Sequence, residues 1–318
     1  MNQDQRSNRR EFLKIASVTG FTGWTGCGTG LPYGGIIDTH THFYDPKRRG
    51  GVPWPPTDDP VLYRTVLPDE YRRLSQPLGV RGTIVVEASS WVADNQWVLD
   101  LMEDDPFLVG LIGNLPIGTD DFGPAWERYR RNRRFRGIRI HGPELTAAIR
   151  PSRTQDHLQE VSRAGLTVDV LVGVEQLGQV ATLADQLRRL RIVVDHCANV
   201  PMGRAPHPSP WVSGLAACHY APNVSMKVSG LVEGTGRTQG DAPQEPSVYR
   251  PVVENLWHVL GEDRLIYGSN WPVSSRYASY ETVQGIVTDI FNGFGPTAAT
   301  KYFRRNAERV YGVRAQGS

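Results

Sequence analysis

Ile36-Ile37-Asp38-Thr39-His40-Thr41-His42 is the stretch on which the reading of the fold turns. It opens apolar and closes in His-x-His. Side chains two apart on a strand share a face, so the pattern predicts a strand whose carboxyl end carries His40 and His42 side by side. Two imidazoles placed this way can grip a metal ion or an anion. They can equally be ordinary histidines bonded to neighbouring carbonyls, and the surrounding sequence has to decide between the two.

Downstream of Gly35, short apolar runs alternate with amphipathic ones, the rhythm of βα units. Ile36 to His42 is the first strand candidate, followed by Thr83 to Ala88, Leu108 to Leu115, Gly137 to His141, Leu166 to Val172, Ile192 to Cys197, Val224 to Ser229 and Leu265 to Ser269. Helices are predicted between and after them, over Gln96 to Glu103, Pro124 to Arg134, Thr154 to Ala164, Gln176 to Leu190, Trp211 to Tyr220, Val248 to Leu260, Tyr280 to Phe291 and Ala298 to Tyr311. Gly165, Gly261 and Gly293 fall where helices should stop. Eight strand and helix pairs in a chain of this size predict a single α/β domain, a (β/α)8 TIM barrel over residues 34–318. A doubly wound open sheet is the competing topology, but no G-x-G-x-x-G follows the first strand.

In such a barrel the functional groups sit at the carboxyl ends of the strands. Those ends carry His40, His42, Glu87, Asn114, Arg139, His141, Asp169, His196, Lys227, Asn270 and Trp271. Polar groups that close apolar runs such as Ile192-Val193-Val194 are costly to bury without partners, so their recurrence favours one shared site. Asp195 precedes His196, and strand alternation would point it to the opposite face, in a structural role.

Composition narrows the class. The 318 residues are 39% hydrophobic and 9% aromatic, enough for a sizeable core. Thirty-five Lys and Arg against 33 Asp and Glu leave a net charge of +2, which offers no general attraction to nucleic acid or anionic membrane. Cys27, Cys197 and Cys218 form neither a disulfide framework nor a metal knuckle. The basic run Arg128 to Arg136 is read as a solvated helix end, because no nucleic-acid-binding signature accompanies it. His207 is read as a rim residue.

Residues 1–33 read as an address and linker. Asn8-Arg9-Arg10-Glu11-Phe12-Leu13-Lys14, followed by a mild apolar run from Ile15 to Trp24, looks like a twin-arginine export signal. The run is too short to span a bilayer, so export to the periplasm without an integral membrane segment is expected. Cys27 is a poor imitation of a lipoprotein box, and lipidation there is not expected.

Taken in order, IIDTHTHFYDP, RGTIVVEAS, FRGIRI, LTVDVLV, IVVDHC, NVSMKVSGL, RLIYGSNWPV and RNAERVYG resemble the amidohydrolase-related family that includes sugar-lactone and 2-pyrone-4,6-dicarboxylate lactonases. The resemblance spans nearly the whole chain after the export segment. It implies that His40, His42 and His196 approach one divalent metal, zinc by its ligand chemistry, or hold the substrate carbonyl directly without metal. It also implies a small anionic or polyhydroxylated substrate. Arg139 and Lys227 would bind it, helped by His141, Asp169 and Trp271, although each cation could instead pair with a strand-end carboxylate such as Asp169 or Glu87.

One departure matters. Where the family pattern ends its eighth strand in Gly-Ser-Asp-Trp-Pro, this chain has Gly268-Ser269-Asn270-Trp271-Pro272. An amide cannot accept a proton at neutral pH, and a general base is worth about 10²–10⁴ in rate. Three readings follow: hydrolysis with water activated by a metal or a histidine and oriented by Asn270, a shift to decarboxylation, or a site that only binds. Hydrolysis of a small cyclic ester is the reading adopted. Two long connections, Asp45 to Pro68 and Leu231 to Ser247, are expected to overlie the mouth of the site, the second as a lid. Oligomeric state is not predicted.

Overall fold

The computed structural model describes residues 32–315 apart from residue 239. The export segment expected over residues 1–33 lies, except for its last two residues, outside them. The described residues form one compact unit. Its eight strands are β1 (Ile36–Thr41), β2 (Val80–Val86), β3 (Leu108–Gly113), β4 (Phe135–His141), β5 (Thr167–Leu171), β6 (Arg191–Val194), β7 (Val224–Val228) and β8 (Leu265–Tyr267). They pair in sequence order, each parallel to the next.

The sheet curls until its ends meet. Thr41 bridges Trp271, and the His42 N–H donates to the Trp271 carbonyl at 2.9 Å. The (β/α)8 barrel is therefore the architecture of the chain. Around it run α1 (Pro68–Ser75), α2 (Asp94–Leu101), α3 (Phe122–Tyr129), α4 (Gly142–Ala148), α5 (Arg153–Arg163), α6 (Leu177–Gln186), α7 (Ser209–His219), α8 (Arg250–Leu260), α9 (Tyr280–Gly293), α10 (Pro296–Thr300) and α11 (Asn306–Tyr311), the last two joined by a π turn.

Strands buried on both faces read as nearly unbroken Val, Ile and Leu runs, which is why their positions are legible in the sequence. One apolar layer lies between sheet and helices. A second fills the barrel, where Ile37, Ile84, Val109, Ile112, Val193 and Ile266 meet Val310, Tyr311 and Val313 of the C-terminal segment. Each such side chain contributes roughly 1.5–3 kcal/mol by leaving water. The barrel is thus packed on one side and open for chemistry on the other.

Two helices depart from the expectation. α1 starts with Pro68 at its first turn, followed by Asp69 and Glu70, directly after the loop expected to end at Pro68. α4 follows β4 without a linker, its start held by a capping box in which Glu144 accepts from the His141 N–H at 3.1 Å. No helix among the described residues is long and apolar enough to cross a membrane.

Candidate active site

β1 delivers its two histidines to different depths. His42 sits with Nδ1 3.0 Å from the Val86 carbonyl, and a carbonyl only accepts, so Nδ1 carries the proton and Nε2 keeps its lone pair. That Nε2 lies 3.3 Å from Asn270 Oδ1. His40 is fully buried. Its Nδ1 lies between Lys227 Nζ at 3.3 Å and Asp195 Oδ1 at 3.4 Å, while its Nε2 is buried with no hydrogen-bond partner among the described residues.

His196 completes the group from the end of β6. Its ring is 4.4 Å from that of His40, which is 5.0 Å from that of His42. Its Nδ1 is 2.9 Å from Ser229 Oγ, on the neighbouring strand end. From His196 to Asn199 the backbone turns left-handed, with φ between 50° and 56°. Four consecutive non-glycine residues in that region are strained, a condition that collects at functional sites. Gly230 makes room for the turn: a Cβ there would stand 2.7 Å from the His196 Cβ.

This turn corrects one expectation. Asp195 is not turned away on the far face. It is fully buried against His40 and 3.2 Å from Lys227 Nζ, because it lies two residues after Val193 and shares that side chain's inward face, while the left-handed turn that follows brings His196 in beside it. Asp169 holds the same ammonium at 2.5 Å and accepts from the Tyr311 hydroxyl at 3.1 Å. Lys227 and Asp169 were expected to bind substrate; both are fully buried beneath the histidines and pair with each other inside the barrel. Trp271 is likewise withdrawn, packed 5.2 Å from the Tyr71 ring where the barrel closes.

The open part of the site is a cavity of about 860 Å³ whose wall includes His42, Trp54, Glu87, Arg139, His141, His196, Glu233 and Asn270. Arg139 holds Glu87 through Nε at 2.7 Å, the carboxylate pairing considered for it, and still faces the cavity. His141 is exposed nearby, 3.7 Å from Glu87. Trp54, from the proline-rich connection after β1, stands 5.9 Å from the His42 ring, so that loop does overlie the mouth. The connection after β7 contributes Glu233, whose Oε1 accepts from Asn270 Nδ2 at 2.8 Å. Nothing in the sequence marked Glu233 beyond its place in a rim loop.

Electrostatics fix the protonation of the group. Burial, reinforced by the Arg139 charge, lowers His42 to about 4. Burial lowers His196 to about 3 against the pull of Asp195, and burial with the Lys227 charge takes His40 well below the usual histidine range. All three rings are neutral at neutral pH. Burial alone would raise Asp195, but Lys227 and His40 outweigh it and hold its carboxyl well below the ordinary range, whereas burial raises Asp169. Burial alone would raise Glu87 too, and Arg139 reverses that. Burial pushes Glu233 up to about 7, against the hydrogen bond from Asn270.

The donor set fits a divalent metal. Neutral imidazoles are the form that binds one, His42 Nε2 keeps its lone pair, and His40 Nε2 and both Asp195 carboxylate oxygens are buried without a hydrogen-bond partner among the described residues. Ligand atoms of His40, Asp195 and His196 lie within 4.8 Å of one another, a group that takes in Asp195 and leaves His42 at its edge.

A parallel barrel with histidines gathered at its strand ends, backed by a buried lysine and aspartates, defines a barrel hydrolase. More specifically, the chain belongs to the amidohydrolase family, whose model matches residues 37–313, and it is a hydrolytic enzyme. It is 29% identical over 296 residues to an L-fucono-1,5-lactonase of Burkholderia ambifaria, covering 87% of this chain and 95% of that one. An amidohydrolase from Burkholderia multivorans, solved with bound zinc, superposes with a TM-score of 0.78 at 22% identity over 88% of this chain and 99% of its own. A probable 2-pyrone-4,6-dicarboxylic acid hydrolase from Acinetobacter baumannii, solved with citric acid, gives a TM-score of 0.69 at 17% identity, covering 87% and 99%.

Proposed function

We propose that this enzyme hydrolyses a small lactone derived from a sugar acid or dicarboxylic acid. The observation that carries the reading is the gathering of the neutral His42 and His196 rings, 5.0 and 4.4 Å away, around His40, whose Nε2 is buried and unpartnered among the described residues, beside a cavity large enough for one sugar-sized ring. The relative of known name supports the lactone class.

His40, His42 and His196 are the groups that would hold a divalent ion, zinc by ligand preference. When bound, such an ion polarises the ester carbonyl and makes water more acidic. The protein residues do the rest. His42 is oriented by its bond to the Val86 carbonyl, and His196 by Ser229. The Lys227 and Asp195 pair locks His40 from behind, so the ring cannot turn away as the carbonyl approaches. Arg139 and His141 on the cavity wall face the hydroxyl or carboxylate groups of the substrate, and Trp54 covers its ring.

The test combines metal analysis with a panel of sugar-acid lactones. Near-stoichiometric zinc, lost in H40A and H196A, together with ring opening of at least one lactone is the expected result. Failure to open any lactone would sink the reading; zinc-free protein that opens lactones would leave the histidines polarising the carbonyl themselves.

A further inference from the structure

We propose that Glu233, on the loop after β7, is the general base of this reaction, supplying from the neighbouring strand the carboxylate that β8 lacks. The proposal rests on the lactone-hydrolysis reading above. Its first support is position. Glu233 Oε1 accepts from Asn270 Nδ2 at 2.8 Å, so the carboxylate touches the residue standing where the family pattern has an acid. Its Oε2 is buried in the same wall as His42 and His196 and has no hydrogen-bond partner among the described residues.

The other carboxylates near the site are engaged elsewhere. Glu87 is held by Arg139, Asp169 and Asp195 share Lys227, and Glu144 caps α4. Asp38 accepts from the His40 and Ser269 N–H groups and from the Tyr71 hydroxyl. Glu233 is the carboxylate among these that both lines the cavity and keeps a buried oxygen without a hydrogen-bond partner among the described residues.

Its second support is rigidity. Gly234 N–H donates to the Gly230 carbonyl at 3.1 Å, the Met202 N–H donates to the Gly234 carbonyl at 2.9 Å, and Leu231 and Val232 are buried. A base held by its backbone in this way is preorganised. Burial that lifts its carboxyl to about 7 lets it take and return a proton near neutral pH. The titratable and charged groups around it are Tyr249, ahead of α8, and across the cavity His42, His196 and Arg139.

As the water oxygen forms its bond to the ester carbon, one water proton passes to Glu233 and the carbonyl π pair moves onto oxygen. The carbonyl then re-forms, the bond from carbon to the ring oxygen breaks, and its electron pair leaves on that oxygen. The ring oxygen takes the proton back from Glu233, giving the open hydroxy acid, which ionises to solvent.

Glu233→Gln preserves the bond from Asn270, since an amide oxygen also accepts, but cannot take the proton. Initial rates on sugar-acid lactones across pH 5–9, read by proton release, should show kcat about 10²–10⁴-fold lower in E233Q with KM nearly unchanged. The wild-type kcat should rise with pH through a limb near 7, and that limb should be missing in E233Q. E233D, which keeps a carboxylate, should retain a limb at reduced kcat, and it serves if E233Q fails to fold. An E233Q enzyme within about tenfold of wild type, or one that slows but keeps the limb, overturns the base assignment alone, as does E233D without a limb. A wild type inert on every lactone overturns the lactonase reading and this assignment with it.

Discussion

Asn270 is the residue whose meaning the structure changes most. Its backbone is left-handed, φ 58°, a conformation that Asn and Asp tolerate better than other side chains. An amide in place of an acid therefore alters the chemistry at β8 without disturbing the turn that presents it. The amide also links two groups that an acid could not link in the same way, donating to Glu233 while its oxygen faces His42. Replacing Asn270 by Asp would set a second carboxylate against Glu233, and two carboxylates in contact cannot both ionise easily. The pair would titrate together, with one proton held to higher pH. We expect N270D to move the alkaline-rising limb of kcat up by about one pH unit or more and to lower activity at pH 7. A pH–rate profile of the variant checks this; a limb at unchanged pH with higher activity would show that Asn270 itself limits water activation.

At the scale of elements, the site depends on how strands end. β6 stops at Val194; Asp195 continues the inward face of Val193, and the left-handed run from His196 onward swings His196 inward as well. The opposing strand end must then be a glycine. Gly230 has φ 64°, and an added Cβ would meet His196 at 2.7 Å. Gly230→Ala is expected to displace His196, weakening metal retention at least tenfold and costing about 1–3 kcal/mol of stability through strain and overpacking. Metal titration and urea melts would read both effects, and a variant with wild-type metal affinity would show that His196 is not held this way. The same strand ends explain what could be read in advance. The eight strands were visible because each is an apolar run bounded by polar residues, and the two histidines that close β1 sit two residues apart, although the pairing register shifts between Asp38 and Thr41. Asp195 was misplaced because the reading put His196 on the inward face and Asp195 opposite it, whereas alternation from Val193 turns Asp195 inward and the left-handed turn adds His196. Lys227 and Asp169 were assigned to the mouth because sequence shows that a charge ends a strand, not how deep it lies. Glu233 was invisible because a loop has no period from which to infer a face.

At the scale of the whole molecule, the barrel has one seam, and the site straddles it. Between β1 and β8 the backbone ladder is sparse, and side chains do much of the joining. Asp38 accepts from the Ser269 N–H at 2.9 Å and the Tyr71 hydroxyl at 2.6 Å, and Thr39 donates to the Tyr267 carbonyl at 2.6 Å. Removing the buried carboxylate leaves the His40 and Ser269 N–H groups and the Tyr71 hydroxyl without that acceptor. Asp38→Ala is expected to cost about 3–5 kcal/mol, and Asp38→Asn less, because an amide oxygen can still accept the two N–H groups. Equilibrium unfolding in urea measures both, and equal stability in D38A would mean the seam is closed by packing alone. The bond from Ser269 to Asp38 joins residues 231 apart in the chain. Contacts of such long range form late in folding, after their loop entropy has been overcome. On a ribosome, then, the growing polypeptide carries its three histidines long before it has an enzyme, and a chain cut short of Ser269 would have the ligands without the site.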